Sequence, residues 1–154
     1  MKIPLKFDIE NGLFYFPTII KIPRFYKGFI TLKVFYDSGS KITLLSEKDA
    51  NILRIDIQRI PPSQNIYGWG GNSLASHLVK DVEFSVKTAN NEIVKLQVKE
   101  LYITESRKRD EKVRYMSMTS PSIVGNDFLI VNKLRAVLEP LGESYLESVE
   151  EEKK

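Results

Sequence analysis

A chain of 154 residues with 42% hydrophobic and 28% charged side chains is expected to fold as one globular domain whose core needs no cross-links. No cysteine and a single histidine, His77, exclude disulfides, thiol catalysis, thiolate metal sites and an imidazole zinc cluster, so no metal or other cofactor is expected. A formal net charge of +3 is too mild to point to nucleic acid, and the one basic concentration, Arg107 to Arg109, is broken by Asp110 and Glu111 and reads as part of a solvated loop.

The pattern along the chain is mostly of period two. Phe7 and Ile9 alternate with Lys6, Asp8 and Glu10. Asn11-Gly12 then predicts a tight hairpin turn, because both turn positions favour positive φ. Leu13 to Ile22 is the return strand, with Pro17 marking an edge or a bulge. The longest apolar stretch, Leu13 to Ile20, is too short to span a membrane. Ile30, Leu32, Val34 and Tyr36 form one face of the next strand. Ile42 to Leu45 is short and apolar, and Ser46 caps a helix through about Leu53, with Glu47 and Asp49 in its first turn. Pro61-Pro62 stops that region.

Tyr67-Gly68-Trp69-Gly70-Gly71 forms a glycine-dense hairpin carrying the only tryptophan. Val82 to Val86 and Val94 to Val98 alternate as strands about a turn at Ala89 to Glu92. Arg107 to Ser120 reads as a charged loop. Ser122-Ile123-Val124 is a short buried strand broken at Gly125, Asn126-Asp127 caps a short helix from Phe128 to Lys133, and Arg135 to Glu139 is a last strand. Residues 141–154 read as a charged tail, frayed or helical. Short strands with turn chemistry between them and two short helices predict a mostly-β barrel or sandwich. Met1 to Lys6 lacks a signal-peptide core, so a cytoplasmic protein is expected.

The chemistry concentrates at Asp37-Ser38-Gly39-Ser40. An aspartate is depleted in strands and costly to bury unpaired, yet this one follows the apolar run Val34-Phe35-Tyr36 directly. It either caps its own turn through its carboxylate or is used in a reaction.

Three elements stand in order: the Asp-Ser-Gly-Ser turn after a buried strand, the glycine-rich hairpin at Gly68 to Gly71, and Ile123-Val124-Gly125 leading into a helix. This trio resembles the retropepsin-like aspartic proteases, over roughly residues 28–139. The resemblance implies a closed β-barrel of that type with two short helices, over residues 1–140. An extra N-terminal hairpin would occupy about residues 1–27. It implies Asp37 as the catalytic aspartate, with Ser38 bracing the paired turns of two subunits. Gly39 would let backbone N–H groups approach the carboxylates. Ser40, as in pepsin-like relatives, would bond the catalytic carboxylate. Tyr67, Gly68, Trp69, Gly70 and Gly71 would form a flap over the substrate, and Ile123, Val124 and Gly125 a floor beneath the turn.

The chain holds no second Asp-(Ser or Thr)-Gly. The resemblance therefore implies a homodimer in which two copies of Asp37 share one proton and activate water, cleaving extended peptides. A rival expectation is a dimerisation or peptide-binding module of the same fold with weak or absent hydrolysis. No serine triad, P-loop or dinucleotide fingerprint competes with these readings, and His77 reads as a half-exposed strand residue.

Overall fold

The computed structural model describes residues 1–68, 72–106 and 109–149. Strands β1 (Lys2–Asp8) and β2 (Leu13–Lys21) form an antiparallel hairpin in which Asp8 faces Leu13. The connection is therefore the longer loop 9–12, and not a two-residue Asn11-Gly12 turn. Asp8 is the reason: its carbonyl accepts the Gly12 N–H at 2.8 Å and its Oδ1 accepts the Asn11 N–H at 3.1 Å. Only Gly12 takes positive φ, at +65°.

β3 (Thr31–Tyr36) pairs antiparallel with β2, and β4 (Thr43–Leu45) follows the Asp37 turn. Ser46 caps α1 (Glu47–Ile52), its hydroxyl accepting the Asp49 N–H. A single 3-10 turn (Ile57–Arg59) leads to β5 (Ile66–Gly68), which pairs with the start of the long β6 (Asn72–Lys87). β7 (Ile93–Glu105) runs back along β6.

Next come α2 (Glu111–Thr119), β8 (Ser122–Val124), α3 (Asn126–Val131), β9 (Leu134–Val137) and β10 (Ser144–Ser148). Six strands close a barrel in the order β2-β6-β7-β4-β8-β3, with β2–β6 pairing as the seam. β3–β8 and β4–β7 are parallel, and the other contacts of the ring antiparallel. Pro17 falls where the free edge of β2 passes from β1, which it meets up to Tyr15, to β6, which it meets from Thr18. At Pro17 β2 therefore pairs with β3 alone, through Lys33.

Alternation fills the interior. Phe16, Phe84 and Phe128 are fully buried, and Phe128 lies 6.1 Å from Phe16 and 5.7 Å from Phe84, centroid to centroid. The α3 helix thus anchors the barrel core through its third residue.

Three expectations change. β2 is a stave of the barrel, so residues 1–27 are not an appended hairpin. The predicted charged loop contains α2, a nine-residue helix. Asp110 caps it, accepting the Val113 N–H at 2.9 Å, and Val113 and Ser117 are buried on one face. The charged tail contains β10, which pairs with β1 on one side and β9 on the other. Leu146 is fully buried there while Glu147 binds Arg135 across the strands. Among the described residues no helix is long and apolar enough to cross a membrane.

Candidate active site

The buried end of β3 delivers Asp37. Val34, Phe35 and Tyr36 are all buried, and the ladder with β8 continues one step further as the Asp37 N–H donates to the Val124 carbonyl at 3.1 Å. The chain then turns. Asp37 Oδ1 accepts the Gly39 N–H at 2.9 Å, and the Asp37 carbonyl accepts the Ser40 N–H at 3.1 Å. The aspartate thus caps its own turn with one oxygen, as a short acidic side chain does readily. Its Oδ2 has no hydrogen bond among the described residues. Ser38 and Gly39 are exposed, and the Ser38 hydroxyl likewise has no bond among the described residues.

The turn is clamped from beneath. Gly125 lies so close to the chain beyond the turn that a Cβ there would sit 2.4 Å from the Ile42 carbonyl oxygen and 2.7 Å from that of Ser40. Only glycine allows this approach. Asn126 then reaches three points. Its N–H donates to the Ser40 carbonyl at 2.9 Å, its Nδ2 to the Ser38 carbonyl at 2.9 Å, and its Oδ1 accepts the Tyr36 hydroxyl at 3.1 Å. Buried Thr43 donates to Asp127 at 2.9 Å, fixing β4 to α3. Burial, and then the neighbouring charge of Asp37, holds the Tyr36 phenol above its ordinary range.

Ser40 departs from expectation. Its hydroxyl donates to the Ile42 carbonyl at 2.9 Å and accepts the Ile42 N–H at 3.3 Å, so it closes the next turn and leaves the carboxylate alone.

A cavity of about 350 Å³ opens above the turn. Asp37, Gly39 and Ser40 form one end. Ile66, Tyr67 and Leu74 from the β5–β6 hairpin cover it, and Val113 and Met116 of α2 close a side. Asp37 is the one carboxylate among its lining residues. The hairpin overhangs: β6 meets β7 only from Ala75 onward, while Ile66, Tyr67 and Gly68 of β5 pair with Leu74, Ser73 and Asn72. β5 has no partner on its other side among the described residues, so it is an open sheet edge.

Behind α2 lies a buried carboxylate network. Glu47 accepts the Ser106 N–H at 2.6 Å, the Ser106 hydroxyl at 2.7 Å and the Ser117 hydroxyl at 3.4 Å. Asp49 accepts the Ser122 hydroxyl at 2.6 Å. These bonds satisfy both acids and join α1, α2, the end of β7 and β8.

The structure therefore gathers Asp37, Ser38, Gly39 and Ser40 in one turn, lays Ile123, Val124 and Gly125 beside and beneath it, and sets Tyr67 over the cavity. Gly68 is the last residue of β5, and Trp69, Gly70 and Gly71 lie outside the described residues. His77 is buried rather than half-exposed, with Nδ1 2.7 Å from the Ile60 carbonyl and Nε2 3.2 Å from Glu105. Sequence reading missed Asn126 as the clamp and α2 as a wall. An Asp110 cap with Val113, Met116 and Ser117 at helical spacing was the signal for α2. Among the described residues no three His, Cys, Asp or Glu side chains come together as a metal site.

No protein-family model matches the sequence, and no curated protein matches it. The fold does match solved structures. A retropepsin-like aspartic protease from Rickettsia conorii superposes with a TM-score of 0.56 at 14% identity, over 96% of this chain and 89% of that one. EIAV protease, complexed with the inhibitor HBY-793, gives 0.48 at 16% identity, over 81% of this chain and 91% of the other. With the barrel order and the Asp37 turn already described, the first of these overlaps identifies the fold of this chain as retropepsin-like.

Proposed function

We propose that this chain is an aspartic endopeptidase that acts as a homodimer, with Asp37 of each copy forming the catalytic pair. The observation that carries the proposal is Asp37 itself. It stands in an exposed, clamped turn, with one carboxylate oxygen engaged by Gly39 and the other unbonded among the described residues, at the end of a cavity covered by a hairpin.

Peptide hydrolysis by carboxylates needs a base to activate water and an acid to protonate the leaving amide. Two carboxylates held close together cannot both ionise cheaply, so they share one proton and supply both roles. The pair titrates as a unit. The cavity supplies one carboxylate, and a two-fold axis beside Ser38 and Gly39 supplies the second from an identical chain. The exposed Ser38 hydroxyl is available to brace the partner turn. The open edge of β5 offers backbone groups to an extended peptide, which would add as a strand beneath the flap.

The test is an unfolded protein incubated across pH with wild type and with Asp37→Asn, the oligomeric state of each followed by sedimentation. Wild type should cut best at acidic to mildly acidic pH, and Asp37→Asn should lose activity by on the order of 10²- to 10⁴-fold while keeping fold and dimer. Cleavage retained by Asp37→Asn removes the residue from the mechanism. A strictly monomeric active enzyme removes the dyad.

A further inference from the structure

We propose that His77 is the positioning residue of the β5–β6 hairpin. Held as an imidazolium between the Ile60 carbonyl and the Glu105 carboxylate, it latches the root of the hairpin, and the latch releases when the ring loses a proton. The effect on cleavage rests on the proteolytic reading, whereas the latch itself is a property of the fold.

The hairpin is weakly tied at its root. The arm that runs from the 3-10 turn to β5 begins with Pro61 and Pro62, which have no N–H to give. Pro62 lies opposite His77. Two backbone bonds flank that pair: the Leu78 N–H donates to the Pro61 carbonyl at 3.1 Å and the Ser63 N–H to the Ser76 carbonyl at 2.8 Å. The register then slips by one. Ile66 lies opposite Leu74, so Gln64 and Asn65 stand against Ala75 alone. This is a bulge, which bends a strand and interrupts its ladder. Ala75 is also the outermost residue of β6 that faces β7, where it meets Glu105. The overhang therefore starts at a bend.

His77 ties the elements below that bend together. It is 5% exposed. Its Nδ1 lies 2.7 Å from the Ile60 carbonyl, at the end of the 3-10 turn, and its Nε2 lies 3.2 Å from Glu105 Oε1, at the end of β7. Gln58 of the 3-10 turn donates to the other Glu105 oxygen. One ring thus joins the arm, β6 and β7.

Both ring nitrogens face acceptors. A neutral imidazole has one N–H and one lone pair, and only the imidazolium donates in both directions. On losing a proton the ring keeps its shorter bond, to the buried main-chain carbonyl of Ile60, and turns a lone pair on a carboxylate. Glu105 then swings out with the exposed Gln58, and the arm is released from β7. Among the described residues Glu105 is the charged group that meets His77. Ile60 and Pro62 on the arm and Ile103 opposite on β7 are apolar, and Asp56 is engaged with the Gln58 N–H at 3.2 Å.

His77 is the only histidine of the chain, so its ring signals are unique in an NMR spectrum. Amide hydrogen exchange of the full chain, read on both sides of the ring's own titration midpoint, tests the latch. Protection of the Ser63 and Leu78 amides should fall by on the order of 10-fold as the ring loses its proton, while Asn126, at the Asp37 turn, keeps its protection. His77→Gln and the less buried Glu105→Ala should show the lower protection on both sides of the midpoint. In cleavage of an unfolded protein below the midpoint, both variants should raise KM by on the order of 10-fold with kcat nearly unchanged. Above the midpoint wild type should match them.

Protection at Ser63 and Leu78 that ignores the midpoint, or a ring that stays a single neutral tautomer down to acid unfolding, overturns the latch and leaves the protease reading intact. Protection that follows the midpoint without any cleavage by wild type overturns the protease reading and upholds the latch. Protection that follows the midpoint, with a KM that neither variant moves, removes His77 from a positioning role in the reaction.

Discussion

The two sides of the cavity are built on opposite terms. The Asp37 turn is fastened by its own carboxylate, by Val124 beside it, by Asn126 at three points and by the contact with Gly125. Among the described residues, the β5–β6 hairpin across from it pairs with no strand but its own two before Ala75, and Tyr67 at its edge is 76% exposed. A reacting carboxylate gains from being held in one geometry, whereas a cover must open to admit a chain and close to exclude water. The difference teaches where substitutions should cost stability and where they should cost only activity.

The largest stability effect is expected beneath the turn. Gly125→Ala forces a methyl against backbone oxygens, which have no rotamer by which to escape, and should destabilise by about 3 kcal/mol or more in urea titration. A near-neutral Gly125→Ala would mean that the turn is softer than its contacts imply.

Asn126→Ala removes the bonds to Ser38 and Tyr36 but leaves the backbone bond to Ser40, and should lower stability by about 1–2 kcal/mol. Its activity should fall further than that stability loss explains, because Asp37 would sit in a looser turn. Equal losses in the two measurements would reduce Asn126 to a structural role.

Tyr67→Ala sharpens the contrast from the other side. On an exposed edge it should change thermal stability by no more than about 0.5 kcal/mol, while raising KM for peptide cleavage. A large drop in stability would show that the hairpin is load-carrying after all.

The smallest effect lies at alkaline pH. Tyr36 has its folded pKa raised by burial first and by Asp37 second. Its stabilising contribution is complete below the unfolded value of about 10 and is lost as pH rises through the higher folded value. Denaturant midpoints should decline in that window, and Tyr36→Phe should flatten the decline. A midpoint that rises there would reverse the sign.

What the sequence disclosed was local. The apolar run into Asp37, the Ser46 cap and the break at Gly125 are each written in neighbouring residues, and the barrel elements around them follow. What it concealed was carried by distance or by disguise. Asn126 meets Ser38 and Tyr36 across 88 and 90 positions, and no local pattern announces such a clamp. The α2 helix is masked by its own charges, since only Val113 and Ser117 are buried among nine residues. β10 offers a single fully buried hydrophobe, Leu146, amid acidic neighbours, so its pairing with β1 outweighs a composition that favours solvent. At Asn11-Gly12 the preceding Asp8 captured two N–H groups and lengthened the loop.

The position of β10 between β1 and β9 bears on how the protein is made. β1 leaves the ribosome about 140 residues before β10, the strand that pairs with it, Lys2 facing Glu147. The six barrel staves are all synthesised by residue 124, well before β10. Through that interval β1 carries an unsatisfied edge, the kind of exposure that nascent chains must shield from one another. Translation stalled short of Ser144 should therefore yield a barrel that is closed but sticky, one whose nascent molecules cohere until β10 arrives.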